Sequence, residues 1–481
     1  MSEELWRWSA ERTARSIRTG EVSAAEVVTA AMARLEATNG VSNAFGEIAD
    51  DALDKAKEAD EVIARGDPVG PLHGVPVAFK LNTDLAGHPT PDGVAEYLRH
   101  PAPETAPVIA NLQAAGAISL GRTNCPSFSL RWSTQSEHWG VTRNPWDSAV
   151  TPGGSSGGAA VAVATGIVPI AHGNDFGGSV RYPAAVCGVV GIRPTVGRVP
   201  IWHAAGPGAG MALSVSGFAV EGSIARTIGD LRLALRVMQA PDPRDPITVP
   251  LDSLGRDAGR APRRVAIVTD PGRHPFAGPG LPETTDAVRT AGAWLAEAGY
   301  QVEEVELPIL GEAATLWWKL VMTELHVIGL ASEIERVEET EISRAFGLMR
   351  AVADDAFGEV SFADFLAGWD RRHLLRRQLS EFMADFPILL LPNSGEPPFP
   401  LGQDLESVDR MRELAIHQWP NTAVPLLALP GLGIGAVTRG GAPLGVQLIG
   451  RAFDEETLFQ AGEVIEKRPG ITTPIDPAHH G

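Results

Sequence analysis

The chain has 481 residues, of which 44% are hydrophobic and 21% charged, and its formal net charge is −19. This is an ordinary globular composition, in a chain long enough for one large α/β unit or for two to three domains. The acidic balance and the lack of basic clusters exclude binding to a phosphate backbone, so we expect no nucleic-acid partner. The two cysteines exclude a disulfide framework and favour a reducing, cytoplasmic setting.

Neither a signal peptide nor a membrane span is expected. Residues 1–10 are charged and contain no apolar run. The longest apolar stretch, residues 423–436, is interrupted by Pro425, Pro430 and Gly431, which indicates buried core.

The predicted elements begin with helices. Ser23 and Glu26 form a capping-box pattern ahead of apolar residues at helical spacing. A second helix over residues 50–64 ends at Gly66. The pattern then predicts, in chain order, strand 75–80, helix 105–115, strand 117–120, strand 264–268, helix 283–298, strand 302–305, mostly helix over 311–382, strand 388–391, strand 444–449 and a helix from Asp454.

The order of these elements predicts the fold class. Strands that alternate with helices are typical of a largely parallel, buried sheet. No linker divides the chain, and residues 241–262 are the best candidate for a surface excursion. We therefore predict a single large α/β/α domain over residues 71–481, with a central mixed, mostly parallel sheet covered by helices. Residues 1–70 are predicted to form a helical N-terminal arm in the same structural unit.

Two glycine-rich loops, residues 152–158 and 172–181, flank a stretch of small residues. Glycine lets the backbone approach a ligand closely, and successive loop N–H groups can bind an anion. A floppy Gly/Ser linker would lack the adjacent apolar residues 159–164. A phosphate cradle of the P-loop type needs Lys-Ser/Thr directly after its glycines, and neither loop has it. A serine nucleophile with an oxyanion hole fits best.

Ser179 is the nucleophile that this interpretation selects. The backbone N–H groups of Phe176, Gly177, Gly178 and Ser179 itself are then expected where a tetrahedral oxyanion forms. A helix predicted over residues 180–186 adds a favourable dipole.

A serine nucleophile needs a base, and histidine is one option. Residues 153–157 match the G-x-S-x-G elbow of the α/β-hydrolases, with Ser155 at its centre. That motif follows a strand directly, whereas residues 144–152 are poor strand sequence. The available histidines, none in a telling context, are His326, His373 and His417.

Lys80 is the other option for the base. It ends an apolar strand in a chain with only five lysines among its 40 basic residues. Arginine cannot lose its proton near neutrality, whereas burial lowers the pKa of a lysine until the neutral amine is available. A lysine that extends to solvent from a strand end is the alternative, and spacing alone does not decide between them.

Taken together, these segments resemble the amidase signature family, and the resemblance covers most of the chain. The segments that carry it, in order, are Gly74-Val-Pro-Val-Ala-Phe-Lys80, Gly121-Arg-Thr-Asn-Cys-Pro126, Gly140-Val-Thr-Arg-Asn-Pro-Trp146, residues 152–158, residues 173–183, residues 421–430 and Gly445-Val-Gln-Leu-Ile-Gly450.

The resemblance implies a Ser-Ser-Lys triad. The serine matching Ser179 attacks the carbonyl and forms an acyl-enzyme, and Ser155, preceded by an unusual cis peptide bond, relays the proton. Lys80 is the base behind it. Further residues are implied to support the site, and these are Ser156, Asp175 and Arg181. The last two also suit a plain ion pair. Neither a metal nor a cofactor is required.

The sequence departs from the family pattern beside the triad. Asn82 stands where an acidic residue is commoner, and Asn174 and Phe176 replace usual threonines. Cys125 and Ser129 fall in a segment that lines the family's site. We therefore predict substrate contacts for Cys125, Ser129 and Asn174, although Cys125 suits a small buried hydrophobe equally well.

The expected activity is hydrolysis of an amide bond, with side activity on esters. A rather hydrophobic small-molecule amide, anilide, oligoamide or carbamate is the expected substrate. Five tryptophans hint at an apolar pocket, although scattered tryptophans are more often core: Trp132, Trp139, Trp202, Trp317 and Trp318. The alternatives are a Ser-His-Asp esterase, a catalytically silent binding protein and the glutaminase component of an amidotransferase. The sequence is also compatible with a homodimer.

Overall fold

The computed structural model describes residues 4–202, 211–249, 263–438, 441–468 and 470–478. The predicted surface excursion, residues 241–262, therefore lies partly outside the described residues.

The described part of the chain contains sixteen α-helices: α1 Ala10–Arg18, α2 Ala24–Ser42, α3 Ala52–Arg65, α4 Pro107–Ala114, α5 Gly157–Ala164, α6 Arg181–Val186, α7 Leu213–Phe218, α8 Ile228–Met238, α9 Pro282–Glu297, α10 Ile309–Val327, α11 Leu330–Val337, α12 Thr340–Phe357, α13 Phe362–Asp385, α14 Val408–His417, α15 Trp419–Leu426 and α16 Glu455–Glu466.

Eleven of the described strands form one sheet, and two strands of two residues each pair to form a small second sheet. The strands are β1 Phe45–Ile48, β2 Pro76–Lys80, β3 Ile118–Thr123, β4 Gln135–Ser136, β5 Gly140–Val141, β6 Ile170–Asp175, β7 Val190–Arg193, β8 Val220–Ala225, β9 Arg264–Ile267, β10 Gln301–Glu304, β11 Ile388–Pro392, β12 Gly431–Val437 and β13 Leu444–Gly450.

The large sheet is mixed, in the order β1-β3-β2-β6-β8-β7-β12-β13-β11-β9-β10. The α/β class with a mixed sheet is thus confirmed, but the expectation of mostly parallel pairing was wrong. Parallel pairs occur in two groups, β3-β2-β6 and β11-β9-β10. The run of strands β6-β8-β7-β12-β13-β11 is antiparallel throughout, and β1 pairs with β3 in an antiparallel manner as well. The central strands β12 and β13 follow one another through a short connection, which favours antiparallel pairing.

The sheet lies between two apolar layers. Along β2, Val77 and Phe79 belong to one hydrophobic cluster and Ala78 to the other, as expected for side chains that alternate across a strand. Residues 388–391 of β11 alternate in the same way. A strand buried on both faces reads as a continuous apolar run, which explains why the sequence of β2 shows no polar alternation.

The N-terminal helices form where the sequence predicts them. The Ser23 side chain accepts from the Glu26 N–H and the Glu26 carboxylate accepts from the Ser23 N–H, so the capping box is confirmed. Helix α3 ends at Gly66, whose φ of 72° suits glycine. The division into an arm over residues 1–70 and a main domain stays a prediction. Within the described ranges, no helix combines the length and the apolar character needed to cross a membrane.

Candidate functional site

Three chain segments bring the predicted triad to one edge of the sheet. Lys80 is the last residue of β2, and Ser179 lies in the loop between β6 and α6. Because β2 and β6 are parallel neighbours, their carboxyl ends meet at the same edge. Ser155 precedes α5, and the Ser156 N–H donates to the Ser179 carbonyl oxygen at 3.1 Å, which joins the two glycine-rich loops.

Lys80 is buried and touches Ser155. Its Nζ lies 2.7 Å from Ser155 Oγ and 2.7 Å from Asn174 Oδ1, and donates to both. Lys80 is 0% exposed. Burial lowers the pKa of Lys80 below its ordinary range, although Cys125 and Asp92 act in the opposite direction. Burial thus favours the neutral amine of Lys80 over its charged form.

The two serines differ in access. Ser155 is 1% exposed and Ser179 is 9% exposed, so Ser179 is the more accessible of the two to a substrate. The peptide bond between Gly154 and Ser155 is cis, as the family resemblance implies. Ser156 lies beside them with its Oγ buried and without a hydrogen-bond partner among the described residues.

Asn174 faces Lys80 and Asn82. Its Nδ2 donates to Asn82 Oδ1 at 3.0 Å, while its Oδ1 accepts from Lys80. The Asn82 amide continues to Ser129 Oγ at 3.0 Å, and Ser129 Oγ donates to Asp92 Oδ1 at 2.6 Å. The structure thus places Asn174 and Ser129 in a polar chain that ends at the base, and their predicted substrate contacts stay predictions.

Cys125 lies at the far end of that chain. Its Sγ is 3.7 Å from Asp92 Oδ1, and the residue is 1% exposed. Burial, followed by the Asp92 carboxylate, raises the pKa of the thiol. Cys125 is thus buried beside a carboxylate, and its predicted contact with substrate stays a prediction.

Asp175 and Arg181 form the predicted ion pair beneath the Ser179 loop. Arg181 Nη2 and Nε donate to the two Asp175 oxygens, each at 3.0 Å. Arg193 adds a third bond, from Nη1 to the Asp175 carbonyl oxygen at 2.6 Å. Burial alone would raise the pKa of Asp175, but the two guanidinium groups outweigh it and lower the pKa to about 2.

The carbonyl oxygens of the Ser179 loop accept hydrogen bonds from outside the loop. Those of Phe176 and Gly177 accept from the indoles of Trp317 and Trp132, at 3.1 Å and 2.9 Å. The next carbonyl, that of Gly178, accepts from the Tyr182 N–H at 2.8 Å. A trans peptide directs its N–H opposite to its C=O, so each of these bonds also sets the direction of the N–H that follows.

The backbone N–H groups of this loop differ in whether they donate to an acceptor within the protein. The Gly178 N–H donates to Asp175 Oδ1 at 3.0 Å, so in this structure it is not directed at a substrate oxygen. The N–H groups of Phe176, Gly177 and Ser179 find no acceptor among the described residues. These three are the ones that the geometry leaves for an oxyanion.

An aromatic cluster packs against the same loop. The Phe176 ring lies 5.5 Å from the Trp317 ring and 6.2 Å from that of Phe218. Phe176 itself is only partly buried. Of the other tryptophans named from the sequence, Trp139 donates to the Gly46 carbonyl and Trp202 packs on Arg244.

The histidine alternative gains no support from the geometry. Within the described residues, no histidine donates to or accepts from Ser155 or Ser179. The buried His172 instead contacts Glu221 at 2.7 Å through Nε2, and its Nδ1 faces the Lys80 backbone N–H at 3.4 Å. Among the described strands, none precedes Gly153 directly, so the elbow motif lacks its structural context.

Several residues of the site were not found from the sequence. Arg193 and Glu221 stand in strands β7 and β8 far along the chain, and nothing local marks them. In the sequence, Asn82 stands out only as a departure from the family pattern. In the described part of the chain, no group of three or more His, Cys, Asp or Glu side chains is placed to hold a metal ion.

Comparisons with known proteins agree with this geometry. The family model described as Amidase matches residues 26–459. The chain is 36% identical to the indoleacetamide hydrolase of Bradyrhizobium diazoefficiens over 472 residues, which cover 97% of this chain and 87% of that protein.

Two further relatives differ in their named roles. The first belongs to the glutamyl-tRNA(Gln) amidotransferase of Chloroflexus aurantiacus, as one of its subunits. The chain is 31% identical to it over 484 residues, covering 96% of this chain and 97% of that one. The second is a bacterial aryl acylamidase of the amidase signature family, whose solved structure superposes with a TM-score of 0.78 at 25% identity, covering 96% of this chain and 99% of that one.

Proposed function

The chain belongs to the amidase family of carbon–nitrogen amide hydrolases, and we propose that it cleaves a small apolar carboxamide through an acyl-enzyme at Ser179. The observation that carries this proposal is the 2.7 Å contact between the buried Lys80 Nζ and Ser155 Oγ, next to the loop that holds Ser179. Because a buried lysine has a lowered pKa, it can serve as the base that a serine nucleophile needs.

The proposed reaction moves one proton along the triad in each half. As Ser179 Oγ attacks the carbonyl carbon, its proton passes to Ser155 Oγ, and the Ser155 proton passes to the neutral Lys80 amine. The oxyanion is bound by the N–H groups of Phe176, Gly177 and Ser179. The same relay returns a proton to the leaving amine as the C–N bond breaks. Water then attacks the acyl-enzyme by the same route and releases the acid.

The substrate proposal rests on the aromatic side chain beside the nucleophile loop. Phe176 packs between Phe218 and Trp317 while the residue stays partly exposed, which favours a flat, apolar acyl group. The similarity to an indoleacetamide hydrolase supports an arylacetamide. Anilides, oligoamides and carbamates of similar polarity belong to the same proposal, and esters are expected to react because the acyl transfer is shared.

A glutaminase activity is the second candidate, because one relative is part of an amidotransferase. Such an activity would require recognition of both charged ends of glutamine. Phe176 places an aromatic ring at the nucleophile loop, which disfavours a charged amino acid there. A homodimer and a cytoplasmic setting stay predictions.

The test treats wild type and Ser179→Ala with a fluorophosphonate probe, which phosphonylates a reactive serine with loss of fluoride, and the labelled peptide is located by mass spectrometry. A panel of arylacetamides, anilides, aliphatic amides, carbamates and glutamine then ranks kcat/KM. Ser133→Ala is a matched control, since its Oγ is also buried but has no partner among the described residues. We expect the probe to label Ser179 in wild type and in Ser133→Ala. We expect no label at this position in Ser179→Ala. Activity in Ser179→Ala would refute the mechanism, and a preference for glutamine would refute the substrate.

A further inference from the structure

We propose that the indole N–H groups of Trp132 and Trp317 orient the oxyanion-binding loop, residues 176–179, and so act as positioning groups in acyl transfer. The proposal rests on the proposed function of Ser179. It adds two side chains that stand far from the Ser179 motif in sequence and reach its loop from the segment at residues 130–134 and from α10.

Trp317 fixes the first peptide unit of the loop. Its Nε1 donates to the Phe176 carbonyl oxygen at 3.1 Å. Because the N–H of a trans peptide points opposite to its carbonyl, this bond also fixes the direction of the Gly177 N–H. That N–H is one of the three that the structure leaves for an oxyanion.

Trp132 fixes the second peptide unit. Its Nε1 donates to the Gly177 carbonyl oxygen at 2.9 Å, and the N–H of the same unit, that of Gly178, donates to Asp175. This peptide plane is therefore held at both ends, just before the chain reaches Ser179.

The loop needs such restraint because of its sequence. Gly177 and Gly178 have no side chain, and glycine populates a wide range of backbone angles. Gly178 has a φ of 97°, and a Cβ there would collide with Asn421. Glycine is thus required for the conformation, but glycine alone cannot hold it. The two indoles supply from outside the restraint that the loop cannot supply itself.

The Trp132 bond to the loop is buried, and the Trp317 bond is partly buried. Trp132 is 9% exposed and Trp317 is 4% exposed, and hydrogen bonds in such surroundings are stronger than in water. The Trp317 ring also packs on the loop, since a Cβ on Gly177 would lie 3.2 Å from its Cζ2. The rings of both tryptophans contact Trp318, at 6.2 Å and 5.8 Å between centroids.

Trp318 provides a matched control within the same cluster. It is fully buried and stacks on Phe276, but its Nε1 has no hydrogen-bond partner among the described residues. A Trp→Phe change at residue 318 therefore removes the same atoms from the same cluster without removing a bond to the loop.

The experiment compares Trp132→Phe, Trp317→Phe and Trp318→Phe in the full chain, with thermal unfolding as a check on folding. We expect kcat to fall roughly tenfold in the first two, which corresponds to ~1.4 kcal/mol of transition-state stabilisation, with KM nearly unchanged. The Ki of an aryl trifluoromethyl ketone, which forms a tetrahedral adduct with a serine, should rise by the same factor. Trp318→Phe should keep kcat within about twofold of wild type.

Equal kcat values in the three variants would overturn the proposal, as would a fall in kcat without weaker binding of the ketone. If Trp317→Phe does not fold, benzothienylalanine at residue 317 keeps the shape of the ring and replaces the N–H by sulfur, and it should reproduce the loss of kcat. Fluorophosphonate labelling of wild type separates the two proposals. Failure of the probe to label Ser179 refutes the proposed function. If Ser179 is labelled but kcat is unchanged in Trp132→Phe and Trp317→Phe, only the role of the indoles is refuted.

Discussion

The Nζ of Lys80 lies 2.7 Å from the Oγ of Ser155, in a position closed to solvent. Lysine at this place is 0% exposed, and its hydrogen-bond acceptors among the described residues are neutral oxygens, those of Ser155 and Asn174. A buried ammonium group without a carboxylate partner in direct contact is unfavourable, so the amine is poised to lose its proton. The relationship links the burial of β2 to the proposed chemistry.

Replacing Lys80 by Met keeps the length of the side chain and removes the base. We expect kcat/KM to fall by roughly 10²–10⁴-fold, the usual contribution of a general base. In wild type, activity should be lost as the pH falls through the pKa of Lys80, because only the neutral amine accepts a proton. The pH profile of kcat/KM measures this, and a profile without an acid limb would contradict Lys80 as the base.

The same shift predicts how stability depends on pH. Between the lowered pKa of Lys80 and its ordinary value of ~10.4, the unfolded chain binds a proton there and the folded chain does not. The free energy of unfolding therefore rises with pH across this window. Lys80→Met lacks this contribution, so its stability relative to wild type should be greatest at the lower pH. Urea unfolding across the window tests this, and the opposite trend would argue that Lys80 is charged in the fold.

Asn174→Asp places a carboxylate next to the base. An opposite charge within hydrogen-bond distance favours the protonated lysine and therefore raises its pKa. The acid limb of the pH profile should move to higher pH, with lower activity at neutrality. Asn174→Thr, which keeps an oxygen acceptor without the charge, is the comparison. If both variants show the same acid limb, Asn174 does not act on Lys80.

The sequence predicts the parts of the fold that local patterns determine. The capping box at Ser23 and the strand ending at Lys80 depend on neighbouring residues, and both are present. The pairing of the central strands depends on contacts between distant segments. Apolar runs buried on both faces look alike in parallel and antiparallel sheets, so the sequence could not reveal the antiparallel centre.

The same limit applies to the site. The predicted triad residues and the Asp175–Arg181 pair lie in short motifs, and in the structure these motifs meet at one edge of the sheet. Arg193 reaches the site only because β7 lies close to it in the folded sheet. The hydrogen bonds of Trp132 and Trp317 could not be predicted from the sequence either, because scattered tryptophans most often belong to the core. In this case the tryptophans are core and contact the loop as well.

Asp175→Asn should destabilise the fold strongly. It leaves Arg181 and Arg193 buried without their carboxylate, and breaking such a pair costs about 3–5 kcal/mol. The carboxylate has a pKa of about 2 in the fold, so its stabilising contribution is present above the ordinary pKa of ~3.9 and lost as the pH falls through about 2. Urea unfolding at neutral pH measures the loss. Asp409→Asn, which removes an ion pair whose carboxylate side chain is 90% exposed, is the control and should change little.

Phe176→Thr tests the link between the aromatic cluster and the substrate. Removing the ring takes away an aromatic contact that contributes about 0.5–1.5 kcal/mol beyond its buried area, so kcat/KM for an arylacetamide should fall by about tenfold. A short aliphatic amide has no aromatic face to stack on that ring and should lose less, which shifts the ratio of the two rates. Phe276→Leu is the control, because Phe276 stacks on Trp318 rather than on Phe176. An unchanged ratio in Phe176→Thr would place the acyl group elsewhere, while Ser179 and Lys80 would keep their proposed roles.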